Sequence, residues 1–318
     1  MKFHRQLPFL LLPLAALVPQ ASACSVCGCT LSSDWAAQGY PTIPGLEAGL
    51  RFEYSDQTDL RQGTHSFDRS SITFPTDDEI QQETLNRAIW LDLNYGLSRT
   101  WAVAVSVPEF NRFHTTIAEG DTEISTSHAR GLGDVRVVGR YQVTSPTSSF
   151  GFQFGLKLPT GRIDQTFDSG PQAGELVDRG LQLGTGTTDT LLGVSWFTRP
   201  EPTLGCFFQT TLDVPLAARE DFRPSDSLNV SAGVRWLNSS SLTPNLQVNA
   251  KFEDREHGDE ADTPNSGGVQ VYLSPGVTAQ LGHSSSAFVF VQLPLYQRLN
   301  GLQLEPRWVL SVGTRWRW

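Results

Sequence analysis

Two-residue periodicity limits this chain more than any other feature. In residues 304–318 (LEPRWVLSVGTRWRW), Trp308, Leu310, Val312, Thr314, Trp316 and Trp318 fall on one face of an extended strand. Arg307, Val309, Ser311, Gly313, Arg315 and Arg317 fall on the other. Such a strand suits lipid on one side and a polar or hydrated lumen on the other. Tryptophan favours headgroup depth, and a lumenal arginine stays wet. The stretch reads as the closing strand of a β-barrel, with an edge strand of a soluble sandwich as the alternative.

The same alternation recurs over 45–55, 84–96, 101–109, 132–144, 150–159, 187–197, 204–213, 227–237, 244–253, 268–281 and 287–295. It is cleanest in 244–253, where Leu246, Val248, Ala250 and Phe252 oppose Asn245, Gln247, Asn249, Lys251 and Glu253. It is least clean in 287–295, where Phe288, Val289, Phe290 and Val291 put apolar groups on both faces, and Pro275 predicts a bulge or bend in 268–281. With the closing strand the count is about 12, each strand near the ~9–11 residues that cross a bilayer when tilted. Connections after odd strands are long (56–83, 110–130, 160–185, 214–226, 254–267), with 296–303 the shortest. Those after even strands are brief. Transmembrane barrels show this asymmetry, because every backbone group in lipid needs a partner and the sheet must close on itself. The expected fold is all-β: a transmembrane antiparallel up-and-down β-barrel of about 12 strands.

The N-terminus indicates the compartment. Lys2 and Arg5 precede an apolar run, Leu7 to Val18, too short to span a bilayer, and Ala21-Ser22-Ala23 forms a small-residue cleavage site. Residues 1–23 read as a signal peptide, 24–43 as a periplasmic cysteine-containing segment and 44–318 as the barrel, placed in a bacterial outer membrane. Without Lys2 and Arg5 the chain has 22 basic residues against 33 acidic, a formal charge of −11, which argues against nucleic acid as a partner. The expected partners are the lipid bilayer, a small-molecule solute and, through the C-terminal strand, the outer-membrane assembly machinery.

The inward rows supply the candidate site. Arg51, Asp92, Asp134, Arg136, Arg140, Lys157, Asp189, Arg235, Lys251, Arg307 and Arg315 are expected to line the lumen with mixed charge, suited to a hydrated conduit or to internal ion pairs. Trp90 and Phe207, also inward, are expected to narrow it or to line an apolar path. Cys24, Cys27 and Cys29 support three readings: a soft-metal site for Cu(I) or zinc, a disulfide, or lipidation of Cys24. Catalysis is not expected. There is no Gly-x-Ser-x-Gly elbow, and a membrane-embedded lipase needs histidine and serine on neighbouring strand positions, whereas His114 and His128 read as loop residues.

Three patches carry a family resemblance: Gly131-Leu132-Gly133-Asp134, Gly155-Leu156-Lys157-Leu158-Pro159-Thr160-Gly161-Arg162 and Leu183-Gly184-Thr185-Gly186-Thr187-Thr188-Asp189. In this order they resemble a bacterial outer-membrane family catalogued around the MetA pathway of phenol degradation. The resemblance implies a barrel of transport function, with these glycines in a structural role. The passive passage of small, apolar or aromatic solutes is the functional expectation. A metal-handling or assembly protein anchored by a barrel is the alternative.

Overall fold

The computed structural model describes residues 42–237 and 241–318. The expected signal peptide and Cys24, Cys27 and Cys29 lie outside the described residues. The strands are β1 (Gly45–Gly63), β2 (His65–Phe67), β3 (Ile80–Gly96), β4 (Trp101–Ile117), β5 (Ser125–Leu132), β6 (Val135–Thr144), β7 (Ser148–Leu158), β8 (Asp189–Glu201), β9 (Leu204–Pro215), β10 (Ser227–Trp236), β11 (Leu242–Glu253), β12 (Gly268–Gln280) and β13 (Ser285–Arg317).

The strands pair antiparallel around one sheet, most of them with their neighbours in sequence, and β13 returns to β1, so the ring closes. The closing register runs from Glu47↔Arg317 through Phe52↔Val312 to Leu60↔Leu304. β13 is two staves in one continuous run. It doubles back at Asn300-Gly301, where Gly301 has φ +59°, and the Arg317 amide donates to the Ser284 carbonyl at 2.9 Å. Its first limb pairs with β12 and its second with β1. β5 and β6 share β4 as partner, along Glu109–Thr116 and Trp101–Ser106 respectively, and act as one stave broken at Gly133-Asp134. Counted as crossings, with β2 a short return on β1, the wall has twelve staves.

Several strands run further than their hydrophobic pattern. β1 reaches Gly63, and β4 with β5 occupies most of 110–130, the segment expected to be a loop. His114 and His128 therefore sit in strands, not loops. The ladder needs only backbone donors and acceptors, so a polar wall can continue where no side chain need face lipid. The connection expected over 296–303 contracts to the Asn300-Gly301 turn, and the irregularity expected at Pro275 lies between Val271 and Tyr272.

Burial is inverted relative to a soluble protein. Outward Leu50, Phe52, Leu91, Phe152, Phe154 and Leu192 are 38–50 % exposed, while inward Arg51, Glu53, Ser55 and Gln57 are buried. Aromatic pairs mark both ends of the apolar belt: Tyr54 stacks on Trp308 at 5.4 Å, and Trp101 meets Tyr141 at 4.9 Å. This is a transmembrane-type barrel with its greasy face outward.

Part of the interior is solid. Phe207, Phe288 and Phe290 are buried against Gly233, Gly313 and Gly276, where a Cβ would come within 2.2–2.6 Å of the ring. The less regular 287–295 pattern follows from this: both phenylalanines turn inward, and Val289 faces out. Gln247, Asn249, Ser274 and Gln292, all fully buried, fill the β11–β13 side.

Candidate functional site

Alternation sends every second residue into the ring, and strand register then aligns those residues laterally. One such row runs Asp92, Ser106, Arg136, Lys157, Asp189 across β3, β4, β6, β7 and β8. A cavity of about 540 Å³ lies inside. It extends from Thr42 and Glu47 at the short-turn end to Pro224, Ser225 and Glu256 from the long connections.

Most lumenal cations are matched by acids. Lys157 contacts Asp189, Lys251 donates to Glu253 at 2.9 Å, and Arg315 donates to Glu47 at 2.7 Å. Arg51 pairs with Glu53 and approaches Asp92 at 3.9 Å, while Ser106 donates to Asp92 at 2.6 Å. The Trp90 indole N–H donates to Glu53 at 2.9 Å, so the ring is anchored rather than loose. Arg136 differs, with Asp213 at 3.9 Å. Arg140 lines the same cavity beside Gln153.

Three expected residues do not border the open cavity. Phe207 faces inward and narrows the lumen by packing on Gly233, where a Cβ would stand 2.6 Å from its ring. Arg235 is buried, donating to Asn245 at 3.2 Å, also outside the cavity wall. Arg307 is 68 % exposed in its side chain and forms a forked pair with Asp59 at 2.5 and 2.8 Å. Register shifts in β1 between Ser55 and Asp59 interrupt the simple alternation there.

Asp134 has a role beyond charge. Its carboxylate accepts from the Gly161 amide at 2.9 Å and from the Thr185 amide and hydroxyl at 2.9 and 3.0 Å. Thr160 donates to the Gly133 carbonyl at 2.8 Å. The three patches that carry the resemblance thus converge on one carboxylate. Gly161 and Gly184 touch: a Cβ on Gly184 would stand 2.5 Å from Asp134 Oδ1 and 2.8 Å from the Gly161 Cα. The clasp holds part of the β7–β8 connection inside the ring, where Arg179, Gln182, Leu183 and Thr185 line the cavity.

Phe110 and Arg112 were hidden by the loop reading of 110–130. Both face inward, and Arg112 donates to Asn86 at 2.7 Å and to the carbonyls of Leu181 and Gln182 at 2.5 and 3.1 Å. The signal was present, since the inward row of β4 continues from Ser106 through Pro108 and Phe110 to His114. His114 is buried against the Thr84 hydroxyl at 2.8 Å, and the His128 ring meets Asn111 at 3.0 Å. In the connections above the wall, burial and the charges of Glu256, Asp262 and Glu79 hold the Asp178 carboxyl well above its usual range.

The expectation of Cu(I) or zinc is corrected: among the described residues no group of three or more His, Cys, Asp or Glu side chains is placed to hold a metal ion. Cys206, the cysteine within the described residues, is unpaired and half-buried in β9.

No protein-family model and no curated protein sequence matches the chain. Solved structures do. An outer-membrane channel from Pseudomonas putida F1 superposes with a TM-score of 0.65 at 11% identity, covering 91% of this chain and 100% of that one. Looser likenesses include a Pseudomonas aeruginosa FadL homologue (TM-score 0.45, 12% identity, 94% and 98% covered) and the Ralstonia pickettii toluene transporter TbuX (0.45, 11%, 94% and 97%). The first of these likenesses identifies the fold as an outer-membrane-channel-like β-barrel.

Proposed function

We propose that this protein is a passive channel of the bacterial outer membrane for small apolar or aromatic solutes. One observation carries the reading: a cavity of mixed polar and apolar lining runs inside a closed ring whose outer face is apolar. A barrel with this inversion belongs in a bilayer, and a cavity running from Thr42 and Glu47 near the short-turn end to Pro224, Ser225 and Glu256 in the long connections gives a solute a route along it. The Trp90–Phe110 wall supports the aromatic preference, with ring centroids 6.0 Å apart. The finer likeness to the phenol-degradation family rests on the order of the three glycine-bearing patches, which meet at Asp134 in this chain. In the same reading residues 1–23 direct export, and the aromatic C-terminal strand is the handle for the assembly machinery.

The test is solute flux into liposomes carrying the purified protein, with a panel of small aromatics, sugars and ions. Aromatic flux above that of protein-free vesicles, slowed in a Trp90→Arg variant, is expected. Vesicles as tight as protein-free ones to the whole panel would refute the channel.

A further inference from the structure

The two walls of the cavity differ in chemistry. On β3 and β4, Trp90, Pro108 and Phe110 form an aromatic surface, with the two rings edge-to-face at 86°. Guanidinium groups surround it: Arg51 lies 5.0 Å and Arg136 5.8 Å from the Trp90 centroid, and Arg112 lies 5.9 Å from that of Phe110. Opposite, β9 and β10 contribute Thr211, Ser227 and Asn229.

The arginines are not equivalent. Arg51 is committed to Glu53, and Arg112 to Asn86 and two backbone carbonyls. Arg136 keeps 43 % of its side chain exposed, and Asp213, its ion-pair partner, stays at 3.9 Å, the outer limit for such a pair. We propose that Trp90, Phe110 and Arg136 form a binding site for a monoanionic aromatic carboxylate. The ring lies against the aromatic wall, and the carboxylate takes the fork of Arg136. This rests on the channel reading and names its substrate class.

The chemistry favours an anion over a neutral ring. A neutral aromatic filling this space displaces water from Arg136 and returns at most one uncharged acceptor, which is costly. A carboxylate replaces that water with two charge-assisted hydrogen bonds. An aliphatic acid satisfies Arg136 equally but forfeits the ring contacts with Trp90 and Phe110.

Full-length protein in liposomes is assayed for influx of benzoate, benzyl alcohol and cyclohexanecarboxylate, and detergent-solubilised protein for benzoate binding by equilibrium dialysis. Benzoate is expected to bind and, once influx into protein-free vesicles is subtracted, to enter faster than either analogue. Arg136→Gln is expected to lower the benzoate-to-benzyl-alcohol flux ratio and the benzoate affinity by about tenfold, the scale of a lost charge-assisted contact. Arg136→Lys is expected to retain most of both. Trp90→Leu is expected to erase the difference between benzoate and cyclohexanecarboxylate. Equal benzoate and benzyl alcohol flux in the wild type, or an unchanged ratio in Arg136→Gln, overturns the site and leaves the channel standing. Benzoate binding that depends on Arg136 in a protein that passes no solute supports the site and removes the channel.

Discussion

Replacing Asp134 by alanine should release the β7–β8 connection from the lumen. The side chain accepts three hydrogen bonds, from the Gly161 amide, the Thr185 amide and the Thr185 hydroxyl, at 2.9–3.0 Å and in a buried setting. Hydrogen bonds to a charged group contribute about 1.5 kcal/mol each at the low end, so losing all three costs roughly 4 kcal/mol of local docking energy. That corresponds to about a thousandfold in the ratio of clasped to released segment. Arg112 still grips the Leu181 and Gln182 carbonyls, so the release should centre on 160–162 and 184–187. Two measurements follow. Conductance in planar bilayers should rise, because Leu183 and Thr185 leave the cavity wall. Amide hydrogen exchange at Gly161 and Thr185 should accelerate, because both amides lose their acceptor. Asp134→Asn, keeping one acceptor oxygen, should fall between wild type and alanine. Unchanged conductance together with unchanged exchange at Gly161 and Thr185 in Asp134→Ala would refute the clasp.

Three further outcomes are expected. Gly184→Ala should reproduce the Asp134→Ala phenotype, since its Cβ would be 2.5 Å from Asp134 Oδ1; a silent Gly184→Ala in the same bilayer assay contradicts the close packing. Leu192→Arg on the outer belt should lower folding stability in liposomes by about 2–4 kcal/mol, read from urea titration, and no loss would argue that this face does not meet lipid. Finally, burial first, then the charges of Glu79 and Asp78, push Asp262 up to about 7 against an ordinary 3.8, while Asn265 opposes. The folded loop therefore holds a proton that the unfolded chain releases near pH 3.8. Its stability is full below that pH and declines as pH rises toward about 7. Hydrogen exchange over 256–266, corrected for intrinsic rate, should show less protection at pH 8 than at pH 5, and Asp262→Asn should flatten the difference. Equal protection at both pH values in the wild type would contradict it.

Much of the wall was legible in the residues. Leu50 and Phe52 against Arg51 and Glu53, or Val248 and Phe252 against Asn249 and Lys251, show their faces by alternation alone, and the structure keeps them there. The site was legible only where two strands needed no information beyond register. Arg51, Asp92, Lys157, Asp189 and Arg315 reach the cavity wall as their strands predict. Arg112 and Phe110 were missed because 110–130 lacks an apolar outward row, although its strand continues. Phe207 turns inward as its strand predicts, but only the strand pairing puts its ring in the space beside Gly233.

By itself the chain determined its strands, the greasy and polar sides of each, and the end carrying the long connections. Those are local matters, set by a period of two and by the solvent each face meets. Only the tertiary structure decided how the lumen is divided. Asp134, Gly161 and Thr185 are far apart along the chain, and nothing in their own segments says that they meet. Their contact exists because the β6–β7 register sets Asp134 beside the end of β7, and the β7–β8 connection then folds back into the barrel to meet it. There a carboxylate without water must take the amides it finds.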